Sequence, residues 1–458
     1  MADRNQPLGG LTERRLQSRD TLRRGARIAL PVFFSTLLTY GMNLINYIYL
    51  AAFQDYRSIA AYGIVAAYTT LAAGIFMPLA AATGAVLERE TNSADPYRKQ
   101  DIINTTMLLA VLVGVLSTIF AVLIAPGYIW QVLTPAEIKE MTTGFLRLFS
   151  VNFIPIIYFG VTTTILIQQG NPVAPILAEI SALALHAGFG YIFVGMFDMG
   201  IYGCAASAIL SQTVAALVNT HLILQLRRAT PARSPVRINK EIVREVYQEQ
   251  KPALFVALLG GVFMIFLQYY IDDLGLETIA GFTLFFLFQD FLFLPFRGMS
   301  SSVRSLSAEH INDDDTLGLI RTFNPQIIVA ILYAIALIPV TKLIGPPIFM
   351  VFSHFNADVT VVAMKLVDLV SSYYFFYAIS TLLSASLEGL GRKQAAMRFN
   401  VGFNYVVRFL VLVLAAEVIQ GGESIAFCYP ASWAISAGAL AIYYYINYSK
   451  GNSIKYSI

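Results

Sequence analysis

Charge is scarce in this chain. Only 13% of its 458 residues are Asp, Glu, Lys or Arg, against about 25% in a typical soluble domain. Hydrophobic residues make up 57%, and the mean hydropathy is +0.64. A surface so poor in charge does not stay dispersed in water, so lipid is the natural solvent. Cysteine is nearly absent as well. Cys204 and Cys428 both lie in apolar runs and offer neither a disulfide framework nor metal-ligand spacing. Each reads as a small buried hydrophobe. The four histidines, His186, His221, His310 and His354, are scattered. No G-x-x-x-x-G-K-[ST], H-E-x-x-H or G-x-S-x-G occurs, so a P-loop, a zinc protease site and a nucleophile elbow have no motif here. No cofactor, metal or nucleic-acid partner is expected.

What the chain does have is long apolar runs. A bilayer crossing needs about 20 such residues. Twelve runs qualify, at 27–53, 58–86, 101–125, 141–169, 172–195, 201–226, 250–272, 277–303, 319–345, 363–389, 395–419 and 424–448. They are continuous rather than alternating, so they predict helices and not barrel strands. The expected fold class is an all-α membrane protein with twelve transmembrane helices.

The basic residues set the orientation. With the N-terminus inside, only Arg57, Lys139, Arg147, Lys342, Lys365 and Arg408 of the 31 Lys and Arg fall outside cytoplasmic segments. Both termini are therefore expected in the cytoplasm, in a multi-pass plasma-membrane protein. Residues 1–27 carry seven arginines and no apolar core, so a secretory signal is not expected. The stretch reads either as a basic amphipathic helix on the inner leaflet or as a solvated tail.

The longest polar stretch, "RRATPARSPVRINKEIVREVYQEQK" at 227–251, divides the spans six and six. The expected organisation is a basic segment 1–26, an N-lobe 27–226, a linker 227–249, a C-lobe 250–448 and a tail 449–458. The halves echo each other. Pro78 pairs with Pro295, Gly170 with Gly391 and Cys204 with Cys428, at separations of 217, 221 and 224 residues. An even number of spans per half gives both halves one orientation, with substrate sites expected between them.

"LIQQGNPVAP", "GIYGCAASAILSQ" and "FLFLPFRGMSSSVRSLSAEHI" resemble the multidrug and toxic compound extrusion (MATE) transporters of the multidrug/oligosaccharidyl-lipid/polysaccharide flippase superfamily. "FLRLFSVNFIP" and "IALPVFFSTLLTYGMNLINYIYLAAF" fit the same pattern. The resemblance runs from about Arg27 to Tyr448 and rests on the order of these motifs. It implies two pseudo-symmetric six-helix lobes, a central cavity, and export driven by H⁺ or Na⁺ through alternating access. At the positions where the family places coupling acids, this chain has Asn46 in span 1, Gly190 in span 5, Gly260 or Gly261 in span 7 and about Tyr377 in span 10. Those roles are not carried over.

Other residues stand as ion- or substrate-coupling candidates. Asp290 lies about 18 Å into span 8 at 1.5 Å per residue. An ionised group at that depth costs about 3 kcal/mol unless it faces a cavity or a partner. Arg408 in span 11 has a matching depth of about 15 Å. Asp290 is thus either a working site or one member of an ion pair with Arg408. Glu179 and His186 stand seven apart in span 5, on one helix face. His186 suits either proton coupling or a hydrogen bond inside the bundle. Asn43 and Asn46 either coordinate a cation or bridge helices. Tyr377 lies in "SSYYFFY", which reads as cavity lining, interfacial belt or ordinary packing. Glu388, beside Arg392, reads as interfacial.

The expected function is export of amphipathic organic compounds by a monomeric secondary transporter. A flippase for lipid-linked oligosaccharides and a membrane-embedded transferase are the alternatives. The short outer loops, poor in His, Asp and Glu, argue against the enzyme.

Overall fold

The computed structural model describes residues 7–90, 96–131, 134–229, 236–310, 316–418 and 421–448. Ser234, within the linker, and the tail 449–458 lie outside them. No strand occurs among the described residues. This follows from the solvent. Hydrocarbon offers no partner for a peptide group, so each apolar run satisfies its own backbone as a helix.

The helices, in chain order, are α1 (Pro7–Phe53), α2 (Tyr56–Arg89), α3 (Pro96–Gln131), α4 (Ala136–Gln168), α5 (Val173–Met196), α6 (Ile201–Ala229), α7 (Lys240–Asp272), α8 (Leu276–Ala308), α9 (Thr316–Phe352), α10 (Ala357–Ser371 and Tyr374–Gly389), α11 (Lys393–Val418) and α12 (Gly422–Asn447). Each coincides with one of the twelve apolar runs. Ten are long and apolar enough to cross a membrane singly, and the two segments of α10 pass that test together, bent by 57°. The 34-residue α2 completes the twelve.

Local chemistry sets the ends. Asp55 caps α2, its carboxylate accepting from the backbone of Arg57 at 3.1 Å and Ser58 at 3.4 Å. Asn239 caps α7 through Glu241 N–H at 3.0 Å. The paired glycines of the two halves have one job. Gly170 (φ 84°) and Gly391 (φ 74°) adopt the left-handed conformation that side chains resist. After each, the next N–H reaches back five residues, Asn171 to Leu166 O at 3.0 Å and Arg392 to Leu387 O at 2.9 Å. These are two Schellman caps in repeat-equivalent places.

Packing divides the chain into two compact units. One contains α1 as far as Leu37, Phe285–Pro347 and the chain from Ala363 onward. The other contains Leu38–Leu284 and Ile348–Val362. These units are a different partition from the halves drawn in sequence. In the second, α7 lies along α2, so close that a Cβ on Gly261 would meet Leu71 Cα at 2.5 Å. Arg98 ties the polar ends together, donating to Glu90 at 2.9 Å and Glu245 at 2.7 Å. Arg89 pairs with Glu249. In the first unit, Arg24 of α1 meets Glu309, which follows α8, at 2.5 Å. The core there is aromatic, with Phe293, Phe296, Tyr374, Tyr377 and Trp433 in mutual ring contact.

Candidate functional site

The first unit encloses a cavity of about 390 Å³. Four helices line it, each with one face. Helix α8 supplies Gln289, Asp290, Phe293, Ser300 and Arg304, and the second segment of α10 supplies Tyr377, Ser380, Thr381, Ser384 and Glu388. Helix α11 gives Asn400, Asn404, Tyr405 and Arg408, and α12 gives Tyr429, Trp433 and Ser436. The spacings of three, four and seven are those of a helix stripe. Along α8, Gln289 to Arg304 spans about 22 Å.

Asp290 and Arg408 both line this cavity. The closest cation recorded for Asp290 is on its own helix. Arg297 Nη2 lies 3.9 Å from its carboxylate, and the two side chains are 51% and 55% exposed. Arg408 donates from Nε to Ser432 Oγ at 2.9 Å and from Nη2 to Asn404 Oδ1 at 3.4 Å. Its guanidinium carbon sits 4.5 Å from the centroid of the Tyr429 ring. Tyr377 stacks on Phe293 at 4.1 Å and 12°, which makes it cavity lining. Asp290 and Arg408, of opposite charge, line the same cavity as the rings of Tyr377 and Tyr429. Further along, Arg304 and Glu388 pair at 2.7 Å. Glu388 therefore lines the cavity rather than serving only at an interface.

Two polar atoms of this lining have no hydrogen-bond partner. They are Gln289 Oε1 and Ser300 Oγ, on side chains more than nine-tenths buried. A buried polar atom left unpaired costs about 1–3 kcal/mol.

The remaining candidates gather in the second unit. Tyr62 of α2 is a hub there. Asn46 Nδ2 donates to its hydroxyl at 3.1 Å, and that hydroxyl donates to Asn43 Oδ1 at 3.1 Å. Thr39 donates to Glu179 at 2.6 Å. His186, fully buried, bonds the Met42 carbonyl through Nε2 at 3.2 Å. Because the carbonyl can only accept, the proton is assigned to Nε2, which leaves Nδ1 as an acceptor with no partner. Asn43, Asn46 and His186 thus bridge helices, and Asn46 Oδ1 is also buried without a partner.

Several lining residues were missed from sequence. Asn400, Asn404 and Arg408 repeat every four residues, a polar stripe inside a span, and that spacing was the available signal. Gln289 and Ser300 gave none, because one amide or hydroxyl in a long helix is unremarked. Arg408 directly follows a π-wound stretch, Asn400–Val407, and α5 ends in another at Tyr191–Met196. Such winding is rare and recurs at functional sites; nothing in the sequence marked it.

The MatE family model matches residues 31–192 and, a second time, residues 252–414. The chain belongs to the MatE family. The second match begins 221 residues after the first, in line with the repeat of Gly170 and Gly391. His186 and Arg408 each lie six residues before the end of a match. Among curated relatives, Multidrug export protein MepA of Staphylococcus saprophyticus is 20% identical over 373 residues, covering 80% of this chain and 81% of that protein. MepA of Staphylococcus aureus (strain MRSA252) is 19% identical over 381 residues, with the same coverage. Solved structures of MatE relatives share the fold. A multidrug resistance MATE family transporter of the MOP superfamily in an inward-facing conformation gives a TM-score of 0.83 at 16% identity, over 94% of this chain and 100% of that one. An outward-facing structure gives 0.70 at 17% identity over 93% and 96%. A MOP superfamily transporter from Pyrococcus furiosus gives 0.73 at 16% identity over 94% and 96%.

Proposed function

We propose that this MatE protein is a secondary active transporter that exports amphipathic organic compounds from the cell by alternating access. The coupling ion is H⁺ or Na⁺, and Asp290 is the group that exchanges ion for cargo. The observation that carries the reading is an ionisable carboxylate halfway along a membrane-spanning helix, open to a cavity walled by rings and hydroxyls. A charge held there is costly unless it is used or paired. Relatives named for multidrug export support the cargo class. Structural neighbours in inward- and outward-facing conformations support alternating access. The protein acts as a monomer in the plasma membrane with both termini in the cytoplasm, which is the side the basic residues favour.

The test is transport in proteoliposomes under imposed H⁺ and Na⁺ gradients, with a cationic dye and a lipid-linked sugar assayed side by side. Dye movement driven by either gradient is the expected result. Sugar-lipid movement without dye movement would replace the proposal with the flippase reading, which the amide and hydroxyl stripe of Asn400, Asn404, Ser380 and Ser384 favours.

A further inference from the structure

The charges lining the cavity in the first unit balance. Two carboxylates, Asp290 and Glu388, face two guanidiniums, Arg304 and Arg408. A pocket built for a simple organic cation carries an excess of acid, and one built for an anion an excess of base. This pocket carries neither. Glu388 and Arg304 are already joined at 2.7 Å, while Arg297, outside the cavity lining, stands 3.9 Å from Asp290, beyond hydrogen-bond distance. Asp290 and Arg408 instead line the cavity together with Tyr377 and Tyr429, and the Arg408 guanidinium lies 4.5 Å from the centroid of the Tyr429 ring. The wall they share is aromatic, with Tyr377 stacked on Phe293 and in edge contact with Trp433 at 5.3 Å. Gln289 Oε1 and Ser300 Oγ, buried and unpartnered, add an acceptor and a hydroxyl. The volume, about 390 Å³, falls within the range of small-molecule sites.

We infer that this cavity binds an aromatic zwitterion, a molecule with an ammonium, a carboxylate and a flat ring. The ammonium faces Asp290. The carboxylate faces the guanidinium of Arg408, whose planar fork of N–H donors matches two carboxylate oxygens. The ring lies against Tyr377 and its neighbours, where offset or edge-on contact is favourable. Gln289 Oε1 accepts from the ammonium or from a ring N–H. The inference rests on the transport reading only in taking the bound molecule to be cargo. An ammonium on Asp290 also excludes a proton or cation from the same carboxylate, as exchange of ion for cargo requires.

Four indole compounds separate the contributions of charge. Tryptophan is the zwitterion, tryptophan methyl ester the cation, N-acetyltryptophan the anion, and N-acetyltryptophan methyl ester is neutral. Binding of each to the full-length protein in nanodiscs is measured by calorimetry. Tryptophan should bind at least tenfold tighter than the cation or the anion. Arg408→Gln should abolish its advantage over the methyl ester, and Asp290→Asn its advantage over N-acetyltryptophan. The neutral compound should bind wild type and both variants within about twofold, which shows that the ring wall is intact. Equal or tighter binding of the cation by wild type, or an unchanged preference in Arg408→Gln, overturns the inference. Gradient-driven dye transport is measured on the same preparations. Dye transport with no zwitterion preference sinks the inference alone. Zwitterion binding without any transport sinks the transport reading alone.

Discussion

Replacing Asp290 by Asn removes one charge and almost no volume, so its effects divide cleanly between stability and transport. The cation paired with it, Arg297, is 3.9 Å away, and both side chains are about half exposed. At that distance the attraction is about 4 kcal/mol at an effective dielectric of 20 and about 1 kcal/mol in water. The separation is too long for a hydrogen bond, and the exposure places the pair near the aqueous limit, where such pairs contribute about 0–1 kcal/mol. Asp290→Asn should therefore lower the melting temperature by less than about 3 °C. Gradient-driven dye export in proteoliposomes should nevertheless be lost, because the exchangeable carboxylate is gone. A variant that transports at the wild-type rate refutes the assignment. A large drop in melting temperature that is recovered in Asp290→Asn with Arg408→Gln would refute it differently. That pattern belongs to a structural ion pair, whose broken half leaves a lone buried charge costing about 3–5 kcal/mol.

Three other perturbations test the framework. Gly261→Val drives two methyls toward the backbone at Leu71, an overpacking cost of about 1–3 kcal/mol, and should lower the melting temperature by several degrees; an unchanged melt would mean that α2 and α7 are not in contact there. Tyr62→Phe deletes the hydroxyl joining Asn43 and Asn46 and should cost about 2 kcal/mol for the buried amides left unpaired, part of it restored by adding Asn46→Leu, with no such rescue if the hub is unimportant. A cysteine at Ser234 should react with a membrane-impermeant maleimide only from the inside, and labelling of sealed cells from outside would reverse the topology.

The spans were readable because bilayer thickness and backbone satisfaction leave one solution for each long apolar run. Paired residues such as Gly170 and Gly391 also gave away the repeat, since both needed a left-handed cap. The 57° break in α10 was hidden: "VSSYYFFY" contains no glycine or proline to announce it. The cavity was half visible. Asp290 and Arg408 stood out by charge and matched in depth, but the direct pair weighed for them does not follow from depth alone. Depth fixes one coordinate, and the structure adds Arg297 on one side and Ser432 with Asn404 on the other. In the other unit, Asn43 and Asn46 could be located in sequence, while their hub Tyr62 could not, because the contact is made between helices.

The boundaries between the two compact units fall at Leu37–Leu38, Leu284–Phe285, Pro347–Ile348 and Val362–Ala363. Every one lies inside a helix, in α1, α8, α9 and α10, and none in a connecting loop. The chain thus passes between the units through hydrogen-bonded helix each time and never through a loop. Two of these places are softened by imino acids. Pro31 lies a turn or two before the crossing in α1, and Pro346 and Pro347 sit at the one in α9, where each lacks an N–H and weakens the ladder. The crossings in α8 and α10 have no such softening within two residues. A proline placed at either of these two would break an intact hydrogen-bond ladder, at about 3 kcal/mol or more.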